Sequence, residues 1–312
     1  MVRKLGIFLE NSMPQSLLQQ LIPIKGYPIF TEKTDLVEQS NKSIIDKKYY
    51  LYLDAWGLSL LPFDKNLHGK VHTDFISGKN NYRRITTTRR NHLARACGIT
   101  HRDHPSILDG TAGLGIDGFM LASLNCKVKL VEKNPVIFAL LNDGVRRLHS
   151  ASAADKFLKV AYENISYVWG ETEQVLVQQT LSDVTYDVIY LDPMFPLKQK
   201  ESKSKKAMQA LQYLSGIEDD CDNLLNLAIN SARKRVVIKR PLRSDYLCRK
   251  KPTLSLKGSS VRFDVFINST YNSDLLSFAK QSYYIVSFPH HTLDQKFISN
   301  YHFLYNSDFT KK

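Results

Sequence analysis

The chain shows its clearest two-residue alternation in KYYLYLDAWGLSLLP, Lys48 to Pro62. Leu51 and Leu53 alternate there with Tyr50, Tyr52 and Asp54. That period predicts a strand and hairpin. With the short apolar runs around it, the stretch marks residues 1–72 as a small N-terminal β-containing subdomain. In NNYRRITTTRRNHLARACGI the period lengthens. Leu93, Ala94 and Cys97, flanked by Arg90 and Arg95, suit an amphipathic helix, and HRDHPS then bends the chain. Strand and helix patterns now follow in turn: SILDG, GIDGFMLASLN, KVKLVEKN, PVIFALLNDGVRRLHS with Pro135 at a helix start, then the β-rich YVWG, YDVIYLD and RVVIKR. A β-α-β-α-β order predicts a doubly wound, mostly parallel sheet covered by helices. Residues 73–312 therefore read as one α/β domain. Its C-terminal extension contains the aromatic, β-prone SYYIVSFPHHTLDQKFISNYHFLYN.

Charge narrows the class of partner. The 312 residues hold 43 Lys and Arg against 30 Asp and Glu, a formal net charge of +13. An excess of that size favours an anionic partner, most simply nucleic acid, over an ordinary basic surface. Cys97, Cys126, Cys221 and Cys248 form no CxxC pair, and the histidines add no ligand spacing, so no metal site is expected. MVRKLGIFLENSMPQ lacks the long apolar core of a signal peptide, and no apolar run approaches a membrane span. A cytoplasmic protein with no membrane partner is the expectation.

The candidate chemistry starts at ILDGTAGLGIDG, Ile107 to Gly118. Glycines between a strand and a helix let a ligand approach the backbone and face the helix amides. Gly113, Gly115 and Gly118 spell GxGxxG, which also suits a dinucleotide or a purely structural turn. Asp109 stands at the strand end, ahead of the glycines. A carboxylate there repels a pyrophosphate but attracts a sulfonium or an ammonium, which favours S-adenosylmethionine (SAM) over NAD. Glu132 ends the next strand, where it can accept both ribose hydroxyls of a nucleoside.

The stretch YDVIYLDPMFP, Tyr186 to Pro196, ends a buried strand with an acid locked before a proline. Ligands of doubly wound sheets sit beyond the strands' carboxyl ends, so Asp192 is aimed into the same cleft. Pro193 restricts Asp192 to an extended backbone. Phe195 offers a flat face on which a base can stack. An exocyclic amine is a poor nucleophile because its lone pair is delocalised into the ring. Asp192 and the carbonyl of Pro193 are the acceptors that would orient it for an in-line methyl transfer. Lys198, Lys200, Lys203, Lys205 and Lys206 follow directly, and Lys239, Arg240 and Arg243 follow a later strand onto the same rim. Together these cations are candidate RNA contacts around a flipped base.

These residues resemble a known family. DGTAGLGIDGFMLASLNCKVKLVEKNPVIFALLNDG, VIYLDPMFPLKQK, DFISG, KRVVIKRP and KGSSVRFDVF are similar to the bacterial small-subunit ribosomal RNA methyltransferase J family over roughly residues 50–268. Related amino-methyltransferases usually carry NPPY or DPPY where this chain has DPMFP. The resemblance implies a Rossmann-like class I methyltransferase fold, SAM as cofactor, and 16S rRNA or the 30S subunit as partner. The implied reaction is methylation of a guanine N2 amine. It implies cofactor contacts at Ile116, Asp117, Glu132, Lys133 and Asp192, with a further pair near Gly170 and Glu171. The family has an arginine where Ile116 stands, so that contact would be through backbone. It has small hydroxyl residues where this chain has WGET. Three other readings stay open on the residues alone: an adenine-N6 methyltransferase, a NAD-dependent oxidoreductase, and a non-catalytic RNA-binding assembly factor.

Overall fold

The computed structural model describes residues 4–10, 24–67, 69–77, 89–181, 184–193, 206–216 and 221–268. All lie within one compact unit, Met1–Asn272. The aromatic C-terminal stretch of the sequence lies outside them.

Two sheets carry the fold. The smaller has the order β2-β1-β3-β4, from β1 (Ile7–Leu9), β2 (Ile29–Phe30), β3 (Tyr49–Asp54) and β4 (Gly57–Pro62). Strands β3 and β4 form the hairpin that the alternation predicted. Asp54 closes it by accepting from the amides of Trp56 (2.9 Å) and Gly57 (3.2 Å). Short β1 and β2 pair in parallel beside it and had no signal of their own. Helix α1 (Lys33–Asn41) follows β2.

The larger sheet has seven strands in the order β10-β11-β9-β8-β5-β6-β7. Its parallel part is β5 (Ile107–Asp109), β6 (Val128–Glu132), β7 (Ile165–Trp169), β8 (Tyr186–Leu191) and β9 (Ala232–Pro241). β10 (Leu254–Lys257) and β11 (Val261–Ile267) complete one side antiparallel. The chain runs outward from β5 to β6 and β7, then returns to place β8 on the other side of β5. Strand order thus reverses between β5 and β8, the position at which such sheets open a ligand crevice.

The helices start where sequence chemistry tells them to. Helix α2 (His92–Ala96) is a short stretch of the expected amphipathic segment, capped by Asn91. Helix α3 (Ile116–Ser123) follows the glycine turn, with Gly115 as N-cap in the left-handed region, φ 74°. A side chain there meets strain and the side chain of Leu141, 2.6 Å from a Cβ. Helix α4 (Pro135–Ser152) has Pro135 in its first turn and Asn134 capping it by accepting from Val136 and Ile137. Asp155 caps α5 (Lys156–Glu163) in the same way. Helices α6 (Thr172–Leu181), α7 (Lys206–Ser215) and α8 (Cys221–Ser231) lead to or from β8 and β9.

Of four apolar clusters among the described residues, three hold these layers. Phe75, Phe119, Leu130 and Leu141 lie in the one between the large sheet and α3 to α5, and Leu108, Ile189, Leu225 and Ile238 in the one on the opposite face. The third joins Leu51, Leu58 and Leu60 of the small sheet to Ile137 and Leu140 of α4 and Leu211 of α7. Asp143 reinforces that junction from α4. Its buried carboxylate accepts from the Leu58 amide (3.0 Å), Arg146 (2.8 Å) and Arg147 (2.9 Å). Asp143→Ala leaves two arginines and one buried amide without that partner. The expected loss is about 3 kcal/mol of stability, read as a lower urea midpoint with an unchanged slope.

Candidate active site

The carboxyl ends of β5, β6, β8 and β9, with the first turn of α3, carry Asp109, Glu132, Asp192, Lys239 and Asp117. Asp109, the last residue of β5, is 2% exposed and accepts the Thr111 amide at 3.2 Å. Burial, and then the neighbouring Asp117 carboxylate, hold its carboxyl well above the usual range. The Thr111 hydroxyl accepts the Asp192 amide at 2.6 Å, so the turn after β5 fixes the residue after β8. The Thr172 hydroxyl bonds the Gly110 carbonyl and ties α6 to the same turn.

Glu132 ends β6 and braces the glycine turn. Its Oε2 accepts the Gly113 amide at 2.9 Å and its Oε1 the Asn134 amide at 2.7 Å. At the next strand end, Gly170 donates to the Glu132 carbonyl at 3.1 Å and has open space where a Cβ would stand. The Trp169 indole donates to the Lys133 carbonyl at 3.0 Å, while Lys133 and Glu171 are exposed. Ile116 opens α3 directly after Gly115 and is half-buried.

The centre of the cleft is an ionic network. Lys239 Nζ lies 2.7 Å from Asp117 Oδ2 and 2.9 Å from Asp192 Oδ2. The Tyr190 hydroxyl donates to the same Asp117 oxygen at 2.6 Å. Asp117 sits in the first turn of α3, where the helix N-terminus favours its charge. Burial opposes the lysine's charge, but the two carboxylates outweigh it and hold the Lys239 pKa above the ordinary lysine value. Burial likewise raises the Asp192 carboxyl, against the lowering pull of Lys239. Burial and then the Asp117 charge raise the Tyr190 phenol.

Among the described residues, three aspartates and Glu132 lie at this edge of the sheet, with Lys239 paired to Asp117 and Asp192. Such a site would favour a molecule that carries a sulfonium and an ammonium over a pyrophosphate. The glycine turn and Glu132 suit its nucleoside, and Asp117 and Asp192 its cationic end. Bound there, SAM supplies an activated methyl group.

The family model of SAM-dependent methyltransferases matches residues 32–268. A ribosomal RNA small subunit methyltransferase J of Coxiella burnetii is 42% identical over 223 residues, which cover 71% of this chain and 84% of that protein. The protein of the same name from Thioalkalivibrio sulfidiphilus is 41% identical over 219 residues, 70% of this chain and 84% of that one. The chain belongs to the ribosomal RNA small subunit methyltransferase J family. It is a SAM-dependent methyltransferase with a Rossmann-like fold. A crystal structure of a SAM-dependent methyltransferase from Neisseria gonorrhoeae matches with a TM-score of 0.64 at 26% identity, over 86% of this chain and 98% of that one.

Within this family member, the structure redraws part of the sequence-based site. Lys239, expected among the RNA contacts, is paired inside the cleft with Asp117 and Asp192. Arg240, expected there too, is 6% exposed and donates to the Asp245 carbonyl from Nε (3.2 Å) and a terminal nitrogen (2.8 Å). Neighbouring strand residues face opposite sides of a sheet, so one rim does not present both to a phosphate. Pro193 is buried beside Asp192. Phe195, Lys198, Lys200, Lys203 and Lys205 lie outside the described residues, and so does the side chain of Lys206. Tyr190, Thr111 and Asn134 were not anticipated. The available signals were a tyrosine and a lysine inside the apolar runs DVIYLD and RVVIKR, and the Asn-Pro start of α4. Among the described residues, no group of three or more His, Cys, Asp or Glu is placed to hold a metal, and no helix is long and apolar enough to cross a membrane.

Proposed function

We propose that this enzyme methylates the N2 amine of a guanine in 16S rRNA, free or within the 30S subunit, in the cytoplasm. The observation that carries the reading is the Asp192 carboxylate. Lys239 pairs with it, and the Thr111 hydroxyl accepts the backbone amide of the same residue, at the switch point of the sheet and beside the acids suited to SAM. The relatives' printed name, a methyltransferase of small-subunit ribosomal RNA, and the net charge of +13 support the substrate class. Asp192 accepts a hydrogen bond from the guanine amine and turns its lone pair out of conjugation, towards the methyl group. SAM would supply the methyl group, and the Asp192 carboxylate would take up the surplus amine proton and pass it to water. The small sheet packs against α4 and α7.

Incubating the protein with tritiated SAM and naked 16S rRNA, 30S subunits or DNA, followed by nucleoside analysis, tests the reading. Labelled N2-methylguanosine is expected from at least one RNA substrate. Label in N6-methyladenosine, or in DNA alone, overturns it. RNA affinity should also fall about 10³-fold or more between 50 and 200 mM salt if the footprint holds 6–10 phosphates.

A further inference from the structure

The segment after β9 is held far more firmly than a surface connection needs. Arg262, on β11, has a side chain 6% exposed and pairs through Nε with Asp264 at 3.0 Å. One of its terminal nitrogens donates to the carbonyls of Pro241 (3.3 Å), Leu242 (3.1 Å) and Ser244 (2.6 Å), and the other to Asp245 (3.2 Å). Buried Arg240 donates to the same Asp245 carbonyl. Two buried guanidiniums therefore gather the carbonyls of Pro241, Leu242, Ser244 and Asp245 into one shape. Leu247 is buried as an anchor in the core, and Cys248 and Arg249 then adopt φ values of 50° and 54°. Left-handed backbone at two successive non-glycine residues is strained, and it persists only where the surroundings over-determine it. Burying a guanidinium is also costly unless its bonds are satisfied. Both costs are spent on the conformation of a loop.

That loop presents cations and an aromatic ring. Arg243, Arg249, Lys250 and Lys251 are exposed, with Asp245 the one exposed acid among residues 242–251. Tyr246 is 40% exposed, and its ring lies against the Arg262 guanidinium, 5.0 Å away. Lys250 also reaches Asn226 of α8 at 3.3 Å, so the cations continue from the rim down that side. The loop starts at Pro241, two residues past Lys239, whose Nζ contacts Asp192. It is therefore continuous with the edge of the sheet at which the target base must arrive.

We propose that residues 242–251 are a preshaped docking surface for a single-stranded RNA segment flanking the target base. Tyr246 stacks a base, and Arg243, Arg249, Lys250 and Lys251 meet phosphates. The proposal rests on the rRNA reading above and adds where the RNA binds. A mixture of fixed aromatic and cationic groups fits an unpaired strand, which offers both base faces and phosphates. A rigid loop meets that strand without the entropy cost of ordering itself.

The test uses the full chain, in vitro transcribed 16S rRNA and purified 30S subunits as probes, and binding measured between 50 and 200 mM salt. Combining Arg249→Ala, Lys250→Ala and Lys251→Ala should weaken RNA binding about tenfold or more. The slope of log affinity against log salt should flatten by about 2, at about 0.7 per single-strand phosphate contact. S-adenosylhomocysteine binding and turnover at saturating RNA should be retained. Tyr246→Ala should lower affinity several-fold with no change in slope, because stacking releases no counterions. Unchanged affinity and slope in the triple variant, with tight binding by the wild type, overturn the loop proposal alone. Failure of the wild type to bind either RNA while it binds S-adenosylhomocysteine overturns the rRNA reading and the loop with it.

Discussion

Asp192→Asn lowers the turnover of methyl transfer about 10²–10³-fold while the protein stays folded. The amide keeps the shape of the side chain and one acceptor oxygen. It also introduces a donor towards the substrate amine's own donors and removes the charge that takes up the surplus proton. Asp192 directly follows β8 and lies outside the apolar clusters, so the fold does not depend on its carboxylate. The loss should appear in kcat on 30S subunits, with S-adenosylhomocysteine binding changed far less. The wild-type rate should fall as pH drops through the Asp192 pKa. Burial raises that pKa, so the acid limb lies at higher pH than an ordinary carboxylate gives. Near-normal turnover of Asp192→Asn would remove this residue, and the DPMFP motif with it, from the mechanism.

Lys239→Met should shift that acid limb. The lysine is the cation that pulls the Asp192 carboxyl down against burial, so its removal raises the Asp192 pKa further. The sign follows directly: an acid with a higher pKa is protonated at higher pH, and the limb moves up. The rate deficit should therefore be larger at the acid end of the profile than at the alkaline end. Asp117 and Asp192 also lose the ammonium that separates them, at 2.7 and 2.9 Å, so their orientation suffers at every pH. A drop of about 10–100-fold in kcat/KM at neutral pH is expected, as for a positioning residue whose loss misplaces a catalytic group. Lys239→Arg should restore the position of the limb more than the rate, because a guanidinium keeps the charge but not the point geometry. A pH profile of Lys239→Met that superimposes on the wild type would show that Asp192 does not depend on the lysine.

Much of this protein is written locally in its chain. Apolar alternation marks the β3–β4 hairpin, Asn134-Pro135 starts α4, and the glycines between β5 and α3 announce the turn. Asp109, Glu132 and Asp192 were legible as cleft acids because each ends or directly follows a strand, and a doubly wound sheet gathers its strand ends on one edge. Period, caps and breakers act over a few residues, so the sequence by itself determines them. The partners of those acids were settled only in three dimensions. Lys239 meets Asp117 across 122 residues and Asp192 across 47, and no local pattern separates such a lysine from one that meets solvent or phosphate. The same holds for Arg240 and Arg262, which composition counts as surface cations and the fold buries among backbone carbonyls. Charge and periodicity decide which residues are charged and which strand carries them. Strand order, and the packing of β11 against β9, decide whether each charge faces water, a carboxylate or the interior.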